Sequence, residues 1–461
     1  MLSFTSDVND SNTQESLFKK SAEGVSGHGC SYMPRVSQAK GWRNKEMFAQ
    51  IDKIITAIDN AVWGLPLICL IMATGIFLTA RLGLVQIRHL GKAFKFMFKD
   101  EEDGSGEVTS FGALCTALSA TIGTGNITGV ATAIALGGPG ALFWMVIAAF
   151  FGMATKYAEG LLAIKYRTID EDGHVLGGPF YYIENGMGKK WTWLAKIFAF
   201  FGAGVGLFGI GTFTQVNSIA SAVKNFFDPD MAHTVSLFGG NYSWATVIAG
   251  LFLTVCVGLV VLGGIQRIAK VSEIIVPFMA VLYVGLAVII IIANITAVPV
   301  ALASIVKSAF TGSALAGGAV GSMFVAMQKG VARGIFSNES GLGSAPIAAA
   351  AARTKEPVRQ GLVSMTGTFI DTIVICTMTG LSIVIAGSWL NPELEGVAIT
   401  MDAFQKGLPF PSFVATFSLM LCLVFFAFTT ILGWNYYGER CVEYLFNRNK
   451  GVVMGYRILY I

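Results

Sequence analysis

An all-α protein that crosses a membrane many times is the fold class this sequence predicts, and three observations predict it. Hydrophobic residues make up 54% of the chain and charged residues only 13%, against about 25% charged in a soluble domain. The apolar residues gather in runs long enough to span, since roughly 20 residues at a 1.5 Å rise cover the hydrocarbon. Basic clusters between the runs alternate with acidic-leaning loops, as expected of a polytopic chain. The net charge of +4 is modest and forms no Lys/Arg-rich stripe for nucleic acid. The seven cysteines are scattered without a CxxC, which argues against a disulfide frame or zinc site. All four histidines lie outside the apolar runs, so no histidine relay crosses the membrane.

Residues 1–46 are polar, rich in Ser, Gly and Asn, and lack the apolar core of a signal peptide; they are expected to be disordered. Met47 is a candidate start of the functional protein. Residues 47–110 hold a membrane helix at 58–80, with Trp63 and Arg81 at its two interfaces. An amphipathic basic stretch (Arg81, Arg88, Lys92, Lys95, Lys99) follows and is expected to lie on the membrane surface. A first set of five segments, within 111–296, runs at 111–136, 141–164, 192–222, 243–264 and 272–294, with Arg267 and Lys270 in the last turn. After a weakly amphipathic connector, the second set, within 297–461, holds segments at 314–351, 361–388 and 410–436. The apolar run at 451–461 is too short to span, and the chain reads as cut short after nine membrane helices. Basic residues follow every other helix on one side, which is then cytoplasmic and places the N-terminus outside.

Two segments break the pattern of plain apolar helices. In Ser119-Ala-Thr-Ile-Gly-Thr-Gly-Asn126, Gly123 and Gly125 carry high backbone entropy, and the hydroxyl and amide side chains can bond the backbone. A helix broken at that depth must turn its freed amides and carbonyls to a polar cavity. Half-helix ends then offer partial positive charge to a carboxylate and carbonyl oxygens to a small cation. The other reading is a small-residue packing helix, because Gly125 and Gly129 form a GxxxG pair. The second segment, Gly321 to Pro346, begins the second set and enters from the opposite side. Paired interrupted helices in two inverted halves point to a transport site. There Gln328 and Asn338 are candidate ligands for a polar substrate, while Arg333, Asn338 and Glu339 are candidate gating or structural groups. Asp371, an acid inside a membrane helix, is functional by default, and a structural or gating role is preferred for it. Gly123-Thr-Gly-Asn-Ile-Thr-Gly129 is one residue too long for a dinucleotide fingerprint, and Asn338-Glu-Ser-Gly341 lacks the first glycine of a nucleophile elbow. No enzyme motif stands in the membrane segments.

Ala117-Leu-Ser-Ala-Thr-Ile-Gly-Thr-Gly-Asn-Ile-Thr-Gly129, Gly137-Gly-Pro-Gly-Ala-Leu-Phe-Trp-Met145 with Gly152, and Gly334-Ile-Phe-Ser-Asn-Glu-Ser-Gly-Leu-Gly-Ser-Ala-Pro346 carry a family resemblance. Over about 47–461 the sequence resembles the alanine/glycine:cation symporters, also called sodium:alanine symporters. Val146 stands where that family usually has a second Trp, and the last two helices of the second repeat are missing from the pattern. The resemblance implies a five-plus-five inverted-repeat fold, like that of neurotransmitter:sodium symporters, with an extra N-terminal helix. It implies an inner-membrane carrier of alanine or glycine, coupled to sodium and needing no other cofactor. Its partners would be that amino acid, sodium and the lipid bilayer, and it would act as a monomer. An inactive or structural membrane fragment is the alternative.

Such a substrate is a zwitterion with almost no side chain, so recognition must target its two charged groups. Amides at Gly123, Thr124 and Gly125 suit the carboxylate; carbonyls and Asn or Thr oxygens, Asn126 among them, suit the ammonium. Asn217 and Thr214 are further candidates on the 192–222 helix, with an interhelical hydrogen bond the alternative for Asn217. Thr429 and Thr430 resemble the hydroxyl pair that completes the sodium site of this fold, with carbonyls at Ala120 and Gly123 as partners; simple back-bonding is the other reading. Thr430 would also border the substrate, and Trp434, one turn on, would wall its pocket.

Overall fold

The computed structural model describes residues 50, 52–58, 64–99, 101, 104–237, 240–311 and 319–461. The expected disorder of 1–46, the start at Met47 and the interface role of Trp63 fall outside those residues. The chain divides into two compact units, one ending at Leu67 and the other running Ile68–Ile461. In the first, residues 52–58 are helical.

Among the described residues, six helical stretches are long and apolar enough to cross a membrane: Gly140–Lys165, Lys189–Phe227, Trp244–Val261, Gly264–Ala293, Pro357–Ala386 and Ser412–Leu445. Shorter apolar helices complete the bundle. Helix α1, Leu65–Arg81, opens it, and α2, Leu90–Phe98, is the amphipathic basic helix expected from the sequence. Helix α3, Ser110–Thr121, starts on Thr109, whose hydroxyl accepts the Gly112 amide. A π turn at Gly125–Gly129 leads into α4, Val130–Gly137. Helix α5, Gly140–Lys165, is the central post, more than half buried along its apolar window. A two-stranded hairpin follows, β1 Thr168–Ile169 with β2 Val175–Leu176.

The single long helix expected at 192–222 is instead two, α6 Thr192–Phe208 and α7 Phe213–Phe227. Gly209 and Gly211 supply the weak point, and a Cβ at Gly211 would stand 2.5 Å from Cβ of Trp434. A second hairpin, β3 Thr234–Leu237 with β4 Gly240–Ser243, precedes α8, Trp244–Val261. Helix α9, Gly264–Ala293, absorbs the turn expected at Arg267 and Lys270. Arg267 reaches back to cap the end of α8, donating to Leu259 O at 2.6 Å, so its charge serves a helix end from within the next helix. The expected connector is itself helical, as α10 Val298–Thr311.

In the second half, α11 (Ala319–Asn338) and the short α12 (Ala345–Ala349) flank the second interruption. Helix α13, Pro357–Thr368, continues through a π segment at Phe369–Cys376 into α14, Thr377–Ala386. Helix α15, Val397–Gly407, has no counterpart in the sequence reading. Helix α16, Ser412–Leu445, is followed by α17, Lys450–Tyr460. The short run at 451–461 is thus an amphipathic helix: Tyr456 and Tyr460 are buried, and Tyr460 donates to Gly211 O at 3.1 Å and Ile431 O at 2.7 Å.

Small residues let the inner helices approach. A Cβ at Gly361 of α13 would stand 2.7 Å from Tyr157 O of α5, and one at Gly152 would stand 3.1 Å from Ser340. Large apolar side chains such as Phe200, Phe201, Leu251, Phe252, Ile274 and Val281 are exposed on α6, α8 and α9. An apolar outer face around a polar-lined interior is what a lipid surrounding selects.

Candidate functional site: two interrupted helices joined by one carboxylate

The first interruption falls where the glycines placed it. Ile122 still closes onto Leu118 O at 2.8 Å, but the ladder stops there. The Gly123 amide donates to Asn126 Oδ1 at 2.9 Å, and the Asn126 amide donates to Gly123 O at 3.2 Å. Gly123 is thus engaged within the break, whereas the amides of Thr124 and Gly125 open a new helical half, where no preceding turn can take them. A Cβ at Gly123 would stand 2.5 Å from Thr430 Oγ1, so only glycine lets α16 close on this point. Likewise a Cβ at Gly433 would meet the Ala120 nitrogen at 2.6 Å, so Ala120 packs directly against α16.

The two threonines part company. Thr430 donates to Phe426 O at 2.8 Å, and its Oγ1 lies 3.3 Å from Ile122 O inside the break. Thr429 turns away, bonding Phe425 O and Phe426 O at 3.1 Å each and reaching Met279 Sδ at 3.5 Å. Both hydroxyls back-bond, and only that of Thr430 faces the interruption.

The second interruption is sharper. Glu339, Gly341 and Gly343 have φ of +55°, +89° and +79°, a left-handed run that two glycines make tolerable. Glu159 of α5 holds it from the side: its Oε1 accepts the Gly341 amide at 3.2 Å and the Gly343 amide at 3.1 Å. Glu339 accepts from the Ser344 hydroxyl. Asn338 is used locally, accepting from the Ser340 amide at 3.0 Å and donating to Thr372 Oγ1 at 3.0 Å.

Asp371 ties these two interruptions together. It is fully buried in the π segment, and its Oδ1 accepts from Asn126 Nδ2 at 2.7 Å. Its Oδ2 accepts from Ser337 Oγ at 2.9 Å and Thr372 Oγ1 at 2.6 Å. Asn126 belongs to the first interrupted helix and Ser337 to the second. Hydrogen bonds to a charged group are each worth about 1.5–3 kcal/mol, so one carboxylate holds both segments in register.

The remaining expected residues scatter. Thr214 is half-buried and back-bonds to Ile210 O at 3.0 Å, while Asn217 is exposed on α7. Gln328 is half-buried ten residues before Asn338, about 15 Å up the helix. Arg333 stacks on Phe336, 5.8 Å from the ring centroid. Trp434 lies against Gly211, with its indole Nε1 buried and without a hydrogen-bond partner.

Three residues escaped the sequence reading. Gln215, one residue after Thr214, is buried; its Nε2 donates to Ile210 O at 3.1 Å and its Oε1 is unpartnered. Lys156 and Glu159 sit buried inside α5, 3.9 Å apart. Two charges three residues apart within an apolar run were the available signal.

At the end of the bundle where α3 begins, an ionic network gathers the same elements. Arg440 of α16 reaches Glu107 at 2.7 Å and Glu443 at 2.7 Å. His174 of the first hairpin bridges the same carboxylates at 2.8 and 2.5 Å. Hydrogen bonds to Glu107 and Glu443 hold the His174 imidazolium, raising its pKa to about 9. Arg167 donates to the carbonyls of Ser105 (2.6 Å), Ala352 (2.7 Å) and Thr354 (2.6 Å). The approach to α3, the stretch after α12, the hairpin and the end of α16 are thereby latched.

Comparison with known proteins places this geometry. The family model described as the sodium:alanine symporter family matches residues 48–461. An uncharacterized transporter of Haemophilus influenzae is 55% identical over 412 residues, covering 89% of this chain and 86% of its own. The sodium/alanine symporter AgcS of Methanococcus maripaludis is 48% identical over 418 residues, covering 88% and 86%. The probable sodium/glutamine symporter GlnT of Bacillus subtilis is 39% identical over 410 residues, covering 88% and 80%. Among solved structures, that of MhsT in complex with L-phenylalanine superposes with a TM-score of 0.54 at 14% identity, covering 77% of this chain and 78% of that one. That likeness shows the fold, the inverted-repeat sodium-symporter architecture that the family resemblance implied. The chain belongs to the sodium:alanine symporter family, as a multi-pass membrane protein that carries an amino acid with sodium and is a transporter rather than an enzyme.

Proposed function

We propose that the chain carries alanine or glycine inward with sodium by alternating access, binding both at the first interruption. The observation that carries this reading is the pairing of Thr430 Oγ1 with Ile122 O across 3.3 Å. Ions near calcium's size take oxygens at roughly 2.3–2.6 Å, so two ligands at right angles stand roughly 3.4 Å apart. The Thr430 hydroxyl can donate to Phe426 O at 2.8 Å or Ile122 O at 3.3 Å, and with its proton on the nearer Phe426 O its lone pairs are left for a cation. Carbonyls at Ala120 and Gly123 complete the oxygen set, and Thr429 supports it through packing on Met279.

The substrate carboxylate takes the amides of Thr124 and Gly125 at the start of the new helical half. Its ammonium takes carbonyl and side-chain oxygens across the gap, and Trp434 on Gly211 limits the side chain to a hydrogen or a methyl. The two repeats divide at about residue 296. The carrier sits as a monomer in a bacterial inner membrane with its N-terminus outside and the Arg167–Arg440 network facing the cytoplasm.

Uptake of labelled alanine into liposomes, with sodium or choline outside, tests this. Uptake should need sodium and be competed by glycine. Glutamine, with two further carbons and an amide, should compete at least roughly tenfold more weakly, the discrimination of a close-fitting pocket. Equal competition by glutamine would remove the small-substrate reading. Absence of uptake in either salt would favour an inactive chain.

A further inference from the structure

The second interruption holds a charge that the sodium reading leaves without a task. Lys156 is 3% exposed, and its Nζ has no hydrogen-bond partner among the described residues. Its nearest counter-charge is Glu159 Oε2 at 3.9 Å, which is also without a hydrogen bond. The other oxygen of Glu159 grips the amides of Gly341 and Gly343, so the ammonium sits directly behind the left-handed run. Glu339 and Asp371 also lie within its electrostatic reach. Three buried carboxylates thus face one buried cation, and each carboxylate is otherwise bonded only by neutral donors.

The Lys156 side chain lines a cavity of about 20 Å³. Most of its wall is apolar, from α3 and α12 (Leu114, Leu118 and Ala349 among them), and its polar members are Thr121 at the end of α3, Lys156, Asn338, Gln360 and Ser364. Gln360 Oε1, fully buried, has no partner either. An unsatisfied cation and an unsatisfied carboxamide oxygen on one small cavity are costly unless something fills the space between them. The volume admits one water, which needs about 10–15 Å³ and two or more polar partners.

We infer that this is a second monovalent-cation site, occupied permanently by the Lys156 ammonium and one bridging water. The first interruption takes a mobile cation that arrives and leaves with the substrate. The second carries a tethered one, which neutralises Glu159 and so fixes the strained Glu339–Gly343 backbone. The site is separate from Thr430 and stands whether or not sodium binds there. Lys156 is a positioning residue, since it acts through Glu159 on the helix break.

The test empties the site and offers a free cation in its place. Lys156→Ala removes three carbons and the ammonium, which n-propylammonium replaces. The purified full chain is melted with and without n-propylammonium, alongside Lys156→Met and the charge-neutral Lys156→Met/Glu159→Gln. Lys156→Ala should melt lower than the wild type and recover by roughly 2–4 °C with saturating amine. Sodium-dependent uptake should recover with it. Lys156→Met should not respond, because its side chain fills the space. The neutral double variant should regain stability without amine, because removing both members of a buried pair is far milder than removing one. An amine response of Lys156→Ala no larger than that of the wild type would overturn the inference. So would a double variant that is as unstable as Lys156→Met, which keeps the test decisive if Lys156→Ala does not fold.

Discussion

Asp371 shows how much rests on single side chains. Its three donors come from both interrupted helices and its own π segment. Asp371→Ala leaves Asn126 Nδ2 with only the main-chain oxygen of residue 371 at 3.3 Å and Cys376 Sγ at 3.4 Å, and Ser337 with only that sulfur at 3.4 Å. Losing the acceptor of a buried polar group costs about 1–3 kcal/mol. We expect a lower melting temperature, measurable by tryptophan fluorescence, and loss of coupled uptake. Asp371→Asn should fall between, since one carboxamide oxygen can still accept but its nitrogen faces Asn126. His174 gives a pH signature. Its pKa of about 9 lies above the unfolded value, which is about 6.5. Its stabilisation is therefore complete below about pH 6.5 and lost as pH rises through about 9. The melting-temperature gap between wild type and His174→Gln should be widest at low pH and close in the alkaline range. At this scale the sequence was partly legible. Asp371 announced itself as an acid in an apolar run, but its partners lie 245 and 34 residues away. Asn126 reads as a substrate ligand in the sequence, and only the fold brings it to that carboxylate.

The elements divide into those shaped by their own residues and those shaped by contact. Both interruptions are of the first kind, because glycine and small polar residues weaken a helix wherever it is placed. The break between α6 and α7 is of the second kind. The sequence reading runs one helix straight through Gly209 and Gly211, and in the structure the Trp434 side chain packs against Gly211 at the break. Helix α9 errs in the other direction, since Arg267 suggested a turn and instead caps its neighbour from inside the helix. Gly123→Ala tests the close approach of α16. A methyl 2.5 Å from Thr430 Oγ1 must push α16 off the break. We expect weaker sodium dependence with expression retained, read from uptake across a sodium series. The latch at the start of α3 belongs to this scale as well. Arg440→Ala leaves Glu107 and Glu443 facing each other with only His174 between them. Cysteines introduced near Ser105 should then label faster from that end of the bundle.

For the whole molecule, the two interruptions, the shared carboxylate and the latch form one connected body. Alternating access requires that body to open at one end while closing at the other, and a ligand drives the change only through its differential affinity for the two states. Sodium at Thr430, as proposed above, would meet that condition, because Ile122 lies in the interrupted segment and Thr430 on α16, so separating them would remove a ligand. The membrane class and the paired interruptions were legible as periodicity and composition. The α15 helix, the hairpins and the Lys156 cavity were not, since each depends on long-range packing that leaves no local pattern. The most direct measurement is the sodium dependence of alanine uptake by Thr430→Val beside Thr429→Val in liposomes. Thr430→Val should raise half-saturating sodium by roughly tenfold, the loss of about 1.4 kcal/mol of ion binding. Thr429→Val should stay close to the wild type. A larger shift for Thr429→Val, or none for Thr430→Val, would contradict the placement of sodium at the first interruption.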